Sequence, residues 1–145
     1  MRALLDVNAL IALHDPAHVH HVPVLMWLRE HAGPGWASCP LTQNGCLRIM
    51  SQPSYPSAQP LALVRRVLRA STSSRHHAFW PDDLSLLNAD TLADGVVIGP
   101  RQLTDVYLLA LARRHGGCLA TLDARIPLAA VPGAKPEHLV TIAVS

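Results

Sequence analysis

Three of the ten acidic residues stand where carboxylates can act together: Asp6, Asp105 and Asp123. Asp6 closes a short apolar run at residues 2–6. Asp123 follows another at residues 118–121, and Asp105 lies near the start of the long apolar segment 101–115. Carboxylates sharing a site repel one another and rise in pKa. A divalent cation between them keeps them ionised, and hard oxygen donors without paired His or Cys favour Mg²⁺ or Mn²⁺. Such an ion polarises a phosphoryl oxygen and activates water for in-line attack. Asn8, two residues after Asp6, and Thr104, beside Asp105, are spaced to orient a carboxylate or a water. Arg101, four residues before Asp105, shares its helix face and is the Arg expected to meet a substrate phosphate or a carboxylate. Taken singly, the three acids read as a helix cap, a solvated helix residue and a turn residue. Only their joint placement argues for a metal site.

The elements around them must bring them together. Residues 2–6 read as a buried strand, 7–14 as a helix, and 20–31 as a helix with a stripe at Val24, Trp27, Leu28 and His31. A strand at 35–39 leads into a helix at 41–50, with Pro40 at its first position. A helix at 61–70 turns Leu61, Val64 and Leu68 inward and Arg65, Arg66 and Arg69 outward. Residues 78–87 are ambiguous, with Phe79-Trp80 and 84–87 as possible strand pieces. Residues 101–115 form the clearest helix, stopped by Gly116, followed by strands at 118–121 and 139–144. Strands apolar on both faces that alternate with helices predict a parallel sheet covered by helices. From Asp105 the helix travels away for roughly 15 Å, and the chain from Cys118 to Asp123 returns roughly 16 Å. Asp105 and Asp123 are therefore expected at one level, beside the carboxyl end of the first strand and its Asp6.

The composition sets bounds. The chain has 145 residues, half of them apolar and 15% charged, which is one domain's worth and enough for a core. The longest apolar run, seven residues from Val106 to Ala112, is far short of the roughly 20 that span a bilayer. Asp6 and Asn8 interrupt the place of a signal sequence, so a soluble, unprocessed, cytoplasmic chain is expected. The net charge is +2, and the bases are eleven Arg and the single Lys135. Arg48, Arg65, Arg66, Arg69 and Arg101 are candidates for a phosphate-contacting rim, although a solvated helix face explains Arg65, Arg66 and Arg69 equally well. Cys39, Cys46 and Cys118 lie in apolar segments and read as buried thiols. His14, His18, His20 and His21 invite a zinc site, but Asp15-Pro16 breaks their helical spacing, and exposed or capping roles suit them better. No G-x-S-x-G, Walker A or G-x-G-x-x-G motif occurs, which argues against acyl transfer and nucleotide switching.

Four ordered segments carry a family resemblance: Leu4-Leu5-Asp6-Val7-Asn8, Pro40-Leu41-Thr42-Gln43-Asn44-Gly45, residues 99–107 around Thr104-Asp105, and Leu119-Ala120-Thr121-Leu122-Asp123-Ala124-Arg125. Together they resemble the motifs of PIN-domain ribonucleases, more narrowly the VapC-type toxins of type II toxin–antitoxin systems, across essentially the whole chain. The resemblance implies a single PIN-like domain over residues 1–145, a three-layer α/β/α sandwich with a central, mainly parallel sheet. It also implies Mg²⁺- or Mn²⁺-dependent RNA hydrolysis, a homodimer, and a cognate antitoxin that occludes the site. By position, Asp6, Asp105 and Asp123 match the metal-binding acids, with Asn8 and Thr104 as supporting polar residues. One position departs: the family's Glu is Gln43 here, which offers a carbonyl oxygen but neither charge nor basicity. Gln43 leaves two expectations open. One is an active or weakened nuclease; the other is an inactive PIN-like module that binds RNA or antitoxin without cleavage.

Overall fold

The computed structural model describes residues 1–31, 33–123 and 125–144. Five short strands, β1 (Ala3–Leu5), β2 (Trp36–Ser38), β3 (His77–Phe79), β4 (Cys118–Thr121) and β5 (Leu139–Thr141), form one all-parallel sheet in the order β3-β2-β1-β4-β5. The chain starts at the centre of the sheet, builds one wing through β2 and β3, and returns to add β4 and β5 on the other side. β1 and β4 pair in the register Leu4↔Leu119 and Leu5↔Ala120, so Asp6 and Thr121 emerge side by side.

Alternation along the strands divides the core. Ala3, Leu5, Trp36, Cys118 and Ala120 face a layer made by α1 (Val7–His14), α2 (His21–Glu30), α3 (Pro40–Ser51) and α4 (Leu61–Thr72). Leu4, Ala37 and Leu119 face α5 (Leu103–Arg114) on the opposite side. This is the expected three-layer α/β/α architecture. In α5 every residue from Val106 to Ala112 is buried. A helix apolar all round needs cover on both sides. The sheet supplies one side, and Leu84, Leu86, Leu92, Ile126 and Val131 from irregular segments supply the other.

Gly116 ends α5 with φ +71°, a conformation that favours glycine. At the next position a Cβ would lie 2.3 Å from the Arg2 carbonyl oxygen and 2.6 Å from the Trp80 ring. Gly117 thus lets β4 enter against β1, where Cys118 N–H donates to the Arg2 carbonyl at 3.0 Å.

Several sequence expectations need correction. Residues 84–87 form no strand; Leu84 and Leu86 pack toward α5, and Leu87 is exposed. The cause lies just before them. Asp82 accepts from Leu41 N–H (2.9 Å) and the Tyr107 hydroxyl (3.0 Å), while Asp83 pairs with Arg114 (3.6 Å) and lies 3.4 Å from His115 Nε2. These contacts pull the segment over α5 and out of sheet register. Leu61 is exposed, because only Val64 and Leu68 of α4 reach the core and its first turn has no layer outside it. Phe79 is also exposed, being on the edge strand, whereas Trp80 is buried. Residues 101–102 belong to a 3₁₀ turn, Pro100–Gln102, and the last strand ends at Thr141.

Tyr107→Phe keeps the ring and removes only its bond to Asp82. A loss of about 1 kcal/mol in unfolding free energy is expected, measured by urea titration. No change would show that the Asp82 strap does not hold α5.

Candidate active site

The carboxyl edge of the sheet collects the acids by ordinary local rules. Asp6 follows the last strand residue of β1 and caps α1, its Oδ1 accepting from Ala9 N–H at 2.7 Å. Its Oδ2 accepts from the Thr121 hydroxyl at 2.5 Å. Thr121 ends β4, and its Oγ1 in turn accepts from Asp123 N–H at 3.0 Å. One hydroxyl therefore joins the first and third acids. Asp105 stands in the first turn of α5, half-buried.

Asp6 is only 5% exposed. Burial pushes its carboxyl up to about 6, the Thr121 and Ala9 hydrogen bonds oppose this, and the charges of Asp105 and Asp123 add to it. Asp105 is also raised, by burial first and then by Asp123. Asp123 moves the other way, because the Arg125 side chain donates to its carboxylate through Nε and Nη2, both at 3.0 Å. Each acid thus carries a mark of its neighbours. Among the described residues, however, no three His, Cys, Asp or Glu side chains stand closed into a metal-ligating cluster. The donor chemistry still suits a hard divalent cation: carboxylate oxygens only, two of them costly to ionise without a counter-charge. A cation here must share Asp123 with Arg125 or displace it.

Arg101 and Gln102 complete the acid cleft, a volume of about 290 Å³ lined with Asp105, Asp123 and Arg125. Gln102 accepts from Gly99 N–H (2.9 Å) and donates to the Arg125 carbonyl (3.1 Å), tying the turn before α5 to the loop after β4. Asn8 and Thr104 are exposed at the first turns of α1 and α5. Thr104 lines a neighbouring cleft with Asn44 and Arg48.

Gln43 does not join the acid cleft. Its Nε2 donates to Ser38 Oγ at 2.9 Å, and Ser38 Oγ lies 2.7 Å from His77 Nε2. An amide nitrogen can only donate, so Ser38 Oγ accepts from Gln43, and the imidazole tautomer sets which way its bond to His77 runs. The Gln43 side chain lines a groove with Arg65, Arg69 and Thr72 instead. The histidines near α1 are spent on backbone: His14 Nδ1 on the Leu10 carbonyl, His21 Nδ1 on the Ala12 carbonyl (both 2.8 Å), and His18 Nδ1 on His20 N–H (3.0 Å). The sequence had not singled out Thr121, Gln102 or Arg125. Thr121 reads there as one more small strand residue. Only its place at a strand end beside Asp6 could have drawn attention.

The family model for the PIN domain matches residues 3–132. Ribonuclease VapC44 of Mycobacterium tuberculosis is 46% identical over 142 residues, covering 98% of this chain and 100% of that protein. Ribonuclease VapC38 of the same organism is 44% identical over 142 residues, covering 97% and 99%. Among solved structures, VapBC2 of Rickettsia felis bound to a DNA fragment from their promoter aligns with TM-score 0.56 at 12% identity over 97% of both chains. VapC20 of Mycobacterium tuberculosis, described as a Sarcin-Ricin loop cleaving toxin, aligns with TM-score 0.54 at 11% identity, covering 83% and 87%.

Proposed function

Because the chain belongs to the PIN-domain family, among the VapC-type ribonuclease toxins, we propose that it hydrolyses RNA phosphodiester bonds in a Mg²⁺- or Mn²⁺-dependent reaction at Asp6, Asp105 and Asp123. The observation that carries this reading is the Thr121 hydroxyl that links buried Asp6, pushed up to about 6, to the Asp123 backbone, with Asp105 lining the same cleft as Asp123. The three acids would hold the ion, which when bound polarises the phosphoryl group and acidifies the attacking water. Thr121 fixes the Asp6 carboxylate and Arg101 binds substrate phosphate. Asn8 and Thr104, at the two helix starts, orient water and the neighbouring carboxylates. The chain acts in the cytoplasm as a homodimer and is silenced by an antitoxin covering this edge. The relatives named VapC and the VapBC2 neighbour support that pairing. Among the described residues, no helix is long and apolar enough to cross a membrane.

The test is incubation with structured RNA plus Mg²⁺ or Mn²⁺, with EDTA as control, for the wild-type chain and Asp105→Asn. EDTA-sensitive cleavage lost in the variant supports the nuclease. Binding without cleavage supports the second reading, an inactive PIN-like module gripping RNA or antitoxin. Gln43 favours that second reading, since its amide is held on Ser38. Gln43→Glu separates the two. A carboxylate at residue 43 accepts from the Ser38 hydroxyl where the amide donates to it, and brings a negative charge to the start of α3, just after β2. Cleavage is expected to rise about fivefold, or about 1 kcal/mol of transition-state stabilisation. Equal rates in the two proteins would remove residue 43 from the reaction.

A further inference from the structure

The acid cleft has a neighbour on the far side of Thr104. Val7, Leu41, Asn44, Gly45, Arg48 and Thr104 line a second cleft of about 530 Å³ between the starts of α1 and α5 and the first three turns of α3. Val7 directly follows Asp6, and Thr104 directly precedes Asp105, so two of its walls are one residue along the chain from an acid. A Cβ on Gly45 would come within 2.9 Å of Val7 Cγ2, which shows how closely α3 approaches α1 at the floor.

The lining chemistry is one-sided. Arg48 is its only charged side chain, is exposed, and among the described residues has no hydrogen bond or ion pair for its guanidinium. Asn44 lies one turn earlier on α3, at the i, i+4 spacing that puts both on one face. The Asn44 amide and the Thr104 hydroxyl add neutral donors, and no carboxylate lines the cleft. A fork of N–H donors with neutral donors around it suits a phosphate oxygen. A groove with Arg65 and Arg69 on α4 is lined by Gln43, Leu47, Leu68 and Thr72, none of them next in sequence to Asp6, Asp105 or Asp123.

We propose that this second cleft binds the phosphate adjoining the scissile one in an RNA strand, with Arg48 as its ion-pairing partner and Asn44 and Thr104 as supporting donors. The inference rests on the nuclease reading and assigns the path the strand takes past the acids. Arg48 then contributes to substrate binding and leaves the chemical step unchanged.

The experiment measures binding of a fluorescently labelled single-stranded RNA in EDTA across a salt series, and cleavage kinetics in Mg²⁺. It compares the wild type, Arg48→Ala, and Arg29→Ala on exposed α2 as a charge-matched control. Arg48→Ala is expected to weaken binding about fivefold and to lower the salt slope by about 0.7, one lost phosphate contact on a single strand. KM should rise by the same factor with kcat within about twofold, while Arg29→Ala matches the wild type. Wild-type affinity and slope in Arg48→Ala, or an equal loss in Arg29→Ala, would overturn the assignment. A wild-type protein that does not cleave fails the nuclease reading, and the EDTA titration still decides the cleft.

Discussion

Asp6→Asn is expected to abolish RNA cleavage and to stabilise the metal-free protein. The loss should exceed about 10³-fold, equivalent to about 4 kcal/mol, because the buried member of the acid set loses its charge. The gain in stability comes from the same burial. Asp6 titrates near 6 in the folded chain against 3.8 for the free side chain, so between these values the folded state holds a proton that the unfolded state has released. A raised acid makes stability fall as pH rises through this window. Above pH 7 the buried charge costs about 3 kcal/mol. Asn removes that cost and still caps α1 through its side-chain oxygen. Allowing for the weaker Thr121 bond, the variant should gain about 1–2 kcal/mol, or about 3–6 °C in Tm, at pH 8. The difference should fade below the free value of 3.8 and be nearly gone by about pH 3, where Asp6 is largely protonated in both states. Asp105, raised in the same direction, leaves a shallower residual slope in the variant. Calorimetry in EDTA at about pH 3, 6 and 8 measures this. Parallel pH profiles for the two proteins would refute it. Mg²⁺ should raise the Tm of the wild type and leave that of Asp6→Asn where it is.

This pairing of lost activity with gained stability follows from geometry that the sequence showed only in part. Apolar runs that end at a polar residue marked β1, β2, β4 and β5, and their alternation with helices pointed to the parallel sheet; β3, which opens on His77, stayed ambiguous. The bounds of α1 and β4 could be read directly, because Asp6, His14, Gly117 and Thr121 are chemically abrupt edges. What periodicity cannot reveal is which apolar residue has something to pack against. Leu61 and Phe79 fit the pattern of core residues, but the first begins a helix with nothing outside it and the second sits on an edge strand. The acids could be brought to one edge by counting residues along helix and strand. Their hydrogen bonds could not, since each depends on register across the sheet. Thr121 meets Asp6 only because Leu5 pairs with Ala120. Gln43 shows the same limit. Its place near the end of β2 was legible, but the turn of its amide onto Ser38 depends on His77 in another strand.

Thr121→Val should therefore damage the site as well, although it alters no acid and almost no volume. The hydroxyl donates to Asp6 and accepts from Asp123 N–H. Valine leaves the buried Oδ2 of Asp6 without a donor, so ionisation becomes harder and the carboxyl rises beyond its already raised position. It also unfastens the loop that carries Asp123. Groups that orient metal-binding side chains in this way are worth about 10–100-fold in affinity or rate, and a loss of that size in Mg²⁺-dependent cleavage at pH 7 is expected. The pH profile separates orientation from simple unfolding. If Thr121 acts by holding Asp6 ionised, the Thr121→Val deficit should shrink as pH rises from 6 to 9, while circular dichroism stays native. Thr121→Ser, which keeps the hydroxyl, should restore most of the rate. A deficit that is constant with pH, or one that serine does not repair, would show that Thr121 merely fills space at the end of β4.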